Sequence, residues 1–125
     1  MNPAHRVLII DDNAVNRRMA QLVFQKLGWH AETLDSGAGA LLHLAAHHYD
    51  LVLLDISMPG MNGLEVCQRI RADRALAELR VIAYTAHARP EEQQRFLASG
   101  FDDVLVKPMN SRAVQELLLA QTSCP

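Results

Sequence analysis

Short apolar runs rich in β-formers alternate along the chain with longer stretches of helical period. Val7 to Ile10, Trp29 to Leu34, Leu51 to Leu54, Val81 to Thr85 and Val104 to Val106 each precede such a stretch. In the first stretch Val15, Met19, Leu22, Val23 and Leu27 fall at i, i+4, i+7, i+8 and i+12, which predicts one inward stripe ended by Gly28. A second helix is predicted from Ser36 to His47, with Ser36 as N-cap and Leu41, Leu42 and Ala45 inward. The third begins after Asn62 and buries Leu64, Cys67 and Ile70. Pro90 opens the fourth, where its missing N–H costs nothing, and Gly100 closes it. Asn110 or Ser111 caps the fifth, which buries Val114, Leu117 and Leu118.

Leu51-Val52-Leu53-Leu54 is apolar on both faces, as a central parallel strand covered by helices must be, whereas Trp29 to Leu34 alternates and belongs at an edge. Strand and helix in alternation, joined by right-handed crossovers, predict an α/β fold. It is a flavodoxin-like, doubly wound, five-stranded parallel sheet of order 2-1-3-4-5 with five helices. A chain of 125 residues fits one domain, 1–125, with a core from about 6 to 119 and a tail from 120 to 125. Twelve basic against fourteen acidic residues give a net charge of −2, which disfavours direct nucleic-acid binding. Two cysteines make no disulfide framework, and no apolar run reaches membrane-spanning length, so a cytoplasmic location with no membrane contact in this segment is expected.

Ligands of such sheets bind beyond the strand carboxyl ends. There the chain places Asp11 and Asp12 after the first strand, Asp55 after the third, Thr85 closing the fourth and Lys107 after the fifth. Three carboxylates on one rim repel one another unless a cation sits between them, and an all-oxygen donor set selects Mg²⁺. Ten of the twelve basic residues are Arg; only Lys26 and Lys107 carry a compact ammonium, the group suited to following a moving phosphoryl oxygen. His47 and His48 are adjacent and lack a third ligand, so no zinc site is expected. Gly37 and Gly39 lack the spacing of a dinucleotide loop, and Cys67 is read as a small core residue.

Four strings sharpen this picture: Val7-Leu8-Ile9-Ile10-Asp11-Asp12-Asn13, Leu53-Leu54-Asp55-Ile56-Ser57-Met58-Pro59-Gly60-Met61-Asn62-Gly63, Tyr84-Thr85-Ala86 and Val106-Lys107-Pro108. In that order and spacing the chain, from about Arg6 to Leu119, resembles a response regulator receiver domain of two-component signalling. The resemblance implies that Asp55 is the phosphoacceptor, taking its phosphoryl group from a phosphohistidine on a sensor histidine kinase or histidine phosphotransfer protein. It implies Mg²⁺ held by Asp12 and Asp55 directly, by Asp11 through water and by the Ser57 carbonyl. Thr85 and Lys107 would bind phosphoryl oxygens, and the Lys107–Pro108 bond would be cis. Ser57 and His87 would tune the phosphoryl lifetime. The chain would catalyse only its own phosphorylation and slow dephosphorylation, not the turnover of a separate substrate.

Many receivers carry an aromatic residue three positions before the lysine, where this chain has Val104, so switching would rest on Thr85 and the loop after it. Output is expected through a downstream protein on the face formed by the fourth helix, fifth strand and fifth helix. Asp11-Asp12-Asn13 followed by Asn16-Arg17 resembles the hybrid histidine kinase group, so the chain reads as a free-standing regulator or as the receiver of a hybrid kinase. The alternative is a phosphorylation-independent binding module on the same fold. An aspartyl phosphohydrolase would need a second acid where Ser57 stands, and a flavin site would need hydroxyls and glycines where Asp-Asp-Asn stands.

Overall fold

In the structure, a computed structural model, residues 5–58, 60, 62–86, 89–107 and 109–122 are described, with side chains as far as 119. The strands are β1 (Arg6–Ile10), β2 (His30–Leu34), β3 (Leu51–Asp55), β4 (Arg80–Thr85) and β5 (Asp103–Val106). Between and after them lie α1 (Ala14–Lys26), α2 (Gly37–Ala46), α3 (Gly63–Ala72), α4 (Pro90–Ala98) and α5 (Ser111–Thr122). All neighbouring strands are parallel, in the order β2-β1-β3-β4-β5, which is the doubly wound sheet that the apolar pattern predicts. Asp55 is the last residue of β3 rather than the first beyond it.

The two-residue period of a strand sorts the core into two layers. Leu8, Ile10, Val52, Leu54, Val81 and Ala83 face one way, against Ala40 and Leu44 of α2, Val66, Cys67 and Ile70 of α3, and Phe96 of α4. Val7, Ile9, Leu51, Leu53, Ile82 and Tyr84 face the other way, against Ala20 and Phe24 of α1 and Val114 and Leu117 of α5. Covered on both faces, the central residues of β1, β3 and β4 are apolar, with polar residues only at the strand ends, and each fully buried Leu, Ile or Val contributes about 1.5–3 kcal/mol.

Two inward faces differ from expectation. On α1 the buried residues are Ala20 and Phe24, while Val15, Met19 and Leu22 are 67%, 39% and 48% exposed. Val23 and Leu27 lie between these stripes and pack partly against the core, so the sequence period fits either rotation; burial of the larger Phe24 ring decides it. On α2, Ala40 and Leu44 are buried and Leu41 partly so, whereas Leu42 and Ala45 point outward. Leucines at 41, 42 and 44 leave the rotation open in sequence, and the small Ala40 selects the close approach. A 3₁₀ turn over Arg74–Leu76, capped by Asp73, was not foreseen.

The helix ends follow local chemistry. Asn13, Ser36, Asn62 and Asn110 each accept a backbone N–H from three residues on, and Pro90 occupies the first turn of α4. Gly28 and Gly100 have φ of +90° and +112°, the left-handed turn that lets the chain leave α1 and α4 for the next strand. Among the described residues no helix is long and apolar enough to cross a membrane.

Candidate functional site

Strand parity explains why three of the foreseen residues meet. Asp11 follows Val7 and Ile9, Asp55 follows Leu51 and Leu53, and Lys107 follows Leu105, so all three continue the alternation that points toward α1 and α5. Lys107 Nζ stands 3.2 Å from Asp11 Oδ2 and 3.3 Å from Asp55 Oδ1. Asp11 is completely buried and Asp55 is 2% exposed, while Asp12 reaches solvent. One carboxylate oxygen from each of Asp11, Asp12 and Asp55 can be chosen so that all lie within 4.8 Å of one another.

The backbone around them fixes the rim. Asp11 N–H donates to Leu34 O at 3.1 Å, anchoring the end of β1 to β2. Asp11 Oδ1 accepts Asn13 N–H at 2.9 Å, and the Arg17 guanidinium donates to Asp11 O at 2.7 Å. Ser57 N–H donates to Asp55 Oδ1 at 3.2 Å, and Lys107 N–H donates to Thr85 O at 2.7 Å. Gly63, the first residue of α3, packs so closely beneath Asp55 that a Cβ there would stand 2.5 Å from Asp55 O.

Among the described residues, three carboxylates thus face one ammonium, because Arg17 binds a carbonyl and not a carboxylate. Burial, and then the charge of Asp11, push the Asp55 carboxyl above its ordinary range; Lys107 and the Ser57 N–H oppose them. Asp11 Oδ2 is buried and has no directed hydrogen bond beyond the Lys107 ion pair. An orphaned buried oxygen, unbalanced negative charge and a donor set made only of carboxylates fit a hard divalent cation.

Of the remaining foreseen residues, Thr85 closes β4 at the same rim and Ser57 is exposed beside Asp55. Val104 pairs with Ala83 and packs partly buried against the α2–α4 layer. His87 and Pro108, and with Pro108 the expected cis bond, lie outside the described residues. Sequence reasoning did not foresee the bond from Arg17 to Asp11, nor the Tyr84 ring, whose centroid is 5.0 Å from Lys107 Nζ. The only sequence signal for either was position: Arg17 one turn into α1, and Tyr84 immediately before Thr85.

A doubly wound sheet with an acidic cluster and one lysine at its carboxyl rim defines a class of signalling domain. The chain belongs to the response regulator receiver domain family, whose model matches residues 7–119. It is 36% identical over 122 residues to the sensor protein GacS of Pseudomonas syringae pv. syringae; the match covers 95% of this chain but only 14% of that protein's length. Among solved structures it is similar to chemotaxis protein CheY4 of Vibrio cholerae, with a TM-score of 0.88, 28% identity, and coverage of 94% of this chain and 98% of that one. It is similar also to the receiver domain of sensor histidine kinase PA1611 from Pseudomonas aeruginosa PAO1, a structure with a magnesium ion coordinated in its active site cleft. There the TM-score is 0.85 and the identity 26%, over 94% of this chain and 97% of that one. Autophosphorylation and autodephosphorylation are typical of this family, which does not turn over a separate substrate as an enzyme does.

Proposed function

We propose that residues 7–119 act as one receiver domain of a two-component phosphorelay in which Asp55 accepts a phosphoryl group from a phosphohistidine. The observation that carries this reading is the placement of Asp55: buried, within ion-pair distance of Lys107 and beside two further carboxylates. A carboxylate oxygen of Asp55 attacks phosphorus as the P–N bond of the phosphohistidine breaks. The product is an acyl phosphate, and the released imidazole nitrogen takes a proton from water. Asp55 needs no base, because a carboxylate whose proton is already gone is the nucleophile; the protein's task is positioning and charge balance.

The magnesium ion described for the PA1611 receiver domain supports Mg²⁺ at Asp11, Asp12 and Asp55, with the Ser57 carbonyl as a further ligand. When bound, it would offset charge on the transferring phosphoryl oxygens. Lys107 supplies the matching ammonium, and the Thr85 hydroxyl binds a phosphoryl oxygen from the end of β4. Ser57 and His87 tune how fast water removes the group. The similarity to GacS and PA1611, named as sensor kinases, supports a histidine kinase or phosphotransfer protein as donor. A downstream protein would read the phosphorylated state on the face of α4, β5 and α5.

The test is incubation with acetyl phosphate and Mg²⁺, followed by intact mass measurement. The expected result is a gain of one phosphoryl group that hydroxylamine removes and that Asp55→Asn abolishes. No gain in the unaltered chain would favour a phosphorylation-independent binding module instead.

A further inference from the structure

Tyr84 sits where three strands bring their ends together. It pairs with Asp55 on β3 and with Leu105 on β5, and its side chain is 1% exposed in the α1/α5 layer. The place is apolar, and Leu or Ile would fill most of it. Tyrosine adds two things those residues lack: a ring face with negative potential and a hydroxyl.

The ring face is used on Lys107. The ring face lies 5.0 Å from Lys107 Nζ, within cation–π range, and the Lys107 side chain is only 17% exposed. Lys107 N–H is meanwhile held by Thr85 O at 2.7 Å. Thus β4 holds the lysine both by its backbone and by its ammonium. Burial, with the charge of Asp11, pushes the phenol up to about 12, so the residue stays neutral and acts on Lys107 through its ring.

A lysine stem has four rotatable bonds, and Lys107 is drawn to two carboxylates at nearly equal distance. A ring face attracts the ammonium without claiming a particular N–H direction. It can therefore set the depth of the charge while leaving its hydrogens free to turn toward an incoming oxygen.

We propose that Tyr84 is a positioning residue for Lys107, its ring carrying the ammonium at the rim beside Asp55; the kinetic consequence rests on the phosphoacceptor reading above. Two measurements test it. The chain has only two lysines, and Lys26 lies exposed at the end of α1, so the Lys107 side-chain signals can be read by NMR against an internal reference. In the unaltered chain the Lys107 Hε protons are expected upfield of those of Lys26 through the ring current. That shift should persist in Tyr84→Phe and vanish in Tyr84→Leu. In the second measurement, initial phosphorylation by acetyl phosphate should fall about tenfold in Tyr84→Leu and return to within about threefold of the unaltered rate in Tyr84→Phe. Tyr84→Met serves as the ring-less variant if Leu does not fold. Absence of the upfield shift from the unaltered chain, or an unchanged rate in a folded ring-less variant of a chain that does take phosphate, overturns the inference alone. If the unaltered chain takes no phosphate, the phosphoacceptor reading falls and the kinetic role with it, while the NMR arm still decides whether the ring holds the lysine.

Discussion

Tyr49 donates its hydroxyl hydrogen to Glu32 Oε1 at 2.7 Å, joining the segment just ahead of β3 to the middle of edge strand β2. The Arg6 guanidinium completes the joint, hydrogen-bonded to Glu32 Oε2 and lying 4.9 Å above the Tyr49 ring. His30 Nε2 lies 3.1 Å from the same carboxylate. Burial alone would raise the Glu32 pKa, but the bonds from Arg6, Tyr49 and His30 outweigh it and hold the carboxyl down to about 2. Because the folded value lies below the unfolded one, the cluster's stabilisation is present above about 4.5 and is lost as pH falls toward about 2. Glu32 is 30% exposed, so about 1–2 kcal/mol is expected after solvent screening. Urea denaturation between about pH 5 and pH 3 should show a shallower loss of stability in Glu32→Gln than in the unaltered chain. Parallel slopes would refute the role assigned to Glu32.

The acidic rim makes a prediction of opposite sign. Without a divalent cation, Asp11, Asp12 and Asp55 repel, so removing the charge of exposed Asp12 should stabilise the fold. Asp12→Asn is expected to gain about 0.5–1 kcal/mol in chelator. With Mg²⁺ bound as proposed above the order should reverse, because an ion at about ten times its Kd would add about 1.4 kcal/mol to the unaltered chain and little to the variant. Thermal melts with and without Mg²⁺ measure both signs. An equal Mg²⁺ gain in both proteins would remove Asp12 from the ligand set.

The fold was legible because strand order follows from which runs are apolar on both faces, and the rim because charged residues interrupt those runs at their ends. Helix rotation was not legible. On α1 two apolar stripes share Val23 and Leu27, and only packing of Phe24 against the sheet chooses between them. The same choice hid a site residue: once Ala20 and Phe24 point inward, Arg17 at i−3 and i−7 shares their face and reaches the Asp11 carbonyl. Tyr84 was hidden for a different reason, since its contact is with a lysine more than twenty positions along the chain. The rotation itself can be measured. Phe24→Ala should cost about 3–5 kcal/mol, and Val15→Ala should stay within about 0.5 kcal/mol, in chemical denaturation. Comparable losses at both positions would mean that α1 is turned otherwise.

Gly63 links the packing of a helix to the aim of Asp55, the acceptor proposed above. Its N–H donates to Ile56 O at 3.2 Å, and a Cβ at this position would stand 2.5 Å from Asp55 O and 2.9 Å from Ile56 Cα. These obstacles are backbone atoms, which cannot swing aside as a side chain can. Gly63→Ala must therefore push the start of α3 away from the end of β3, at a cost of about 1–3 kcal/mol. The displacement acts on the backbone that carries Asp55, whose Oδ1 is held between Ser57 N–H and Lys107. On the proposed reading, a shift of a few tenths of an ångström there misaligns the Asp55 oxygen that would attack phosphorus, so phosphorylation by acetyl phosphate should slow by about tenfold or more, even at a temperature where the variant is fully folded. Gly60→Ala is the control. Its position has a φ of +77° but open space around the missing Cβ, so its strain is local to the loop. It should cost stability of similar size with a smaller loss of rate. Equal slowing in both variants would show that loop strain, and not the contact of α3 with Asp55, sets the acceptor's aim.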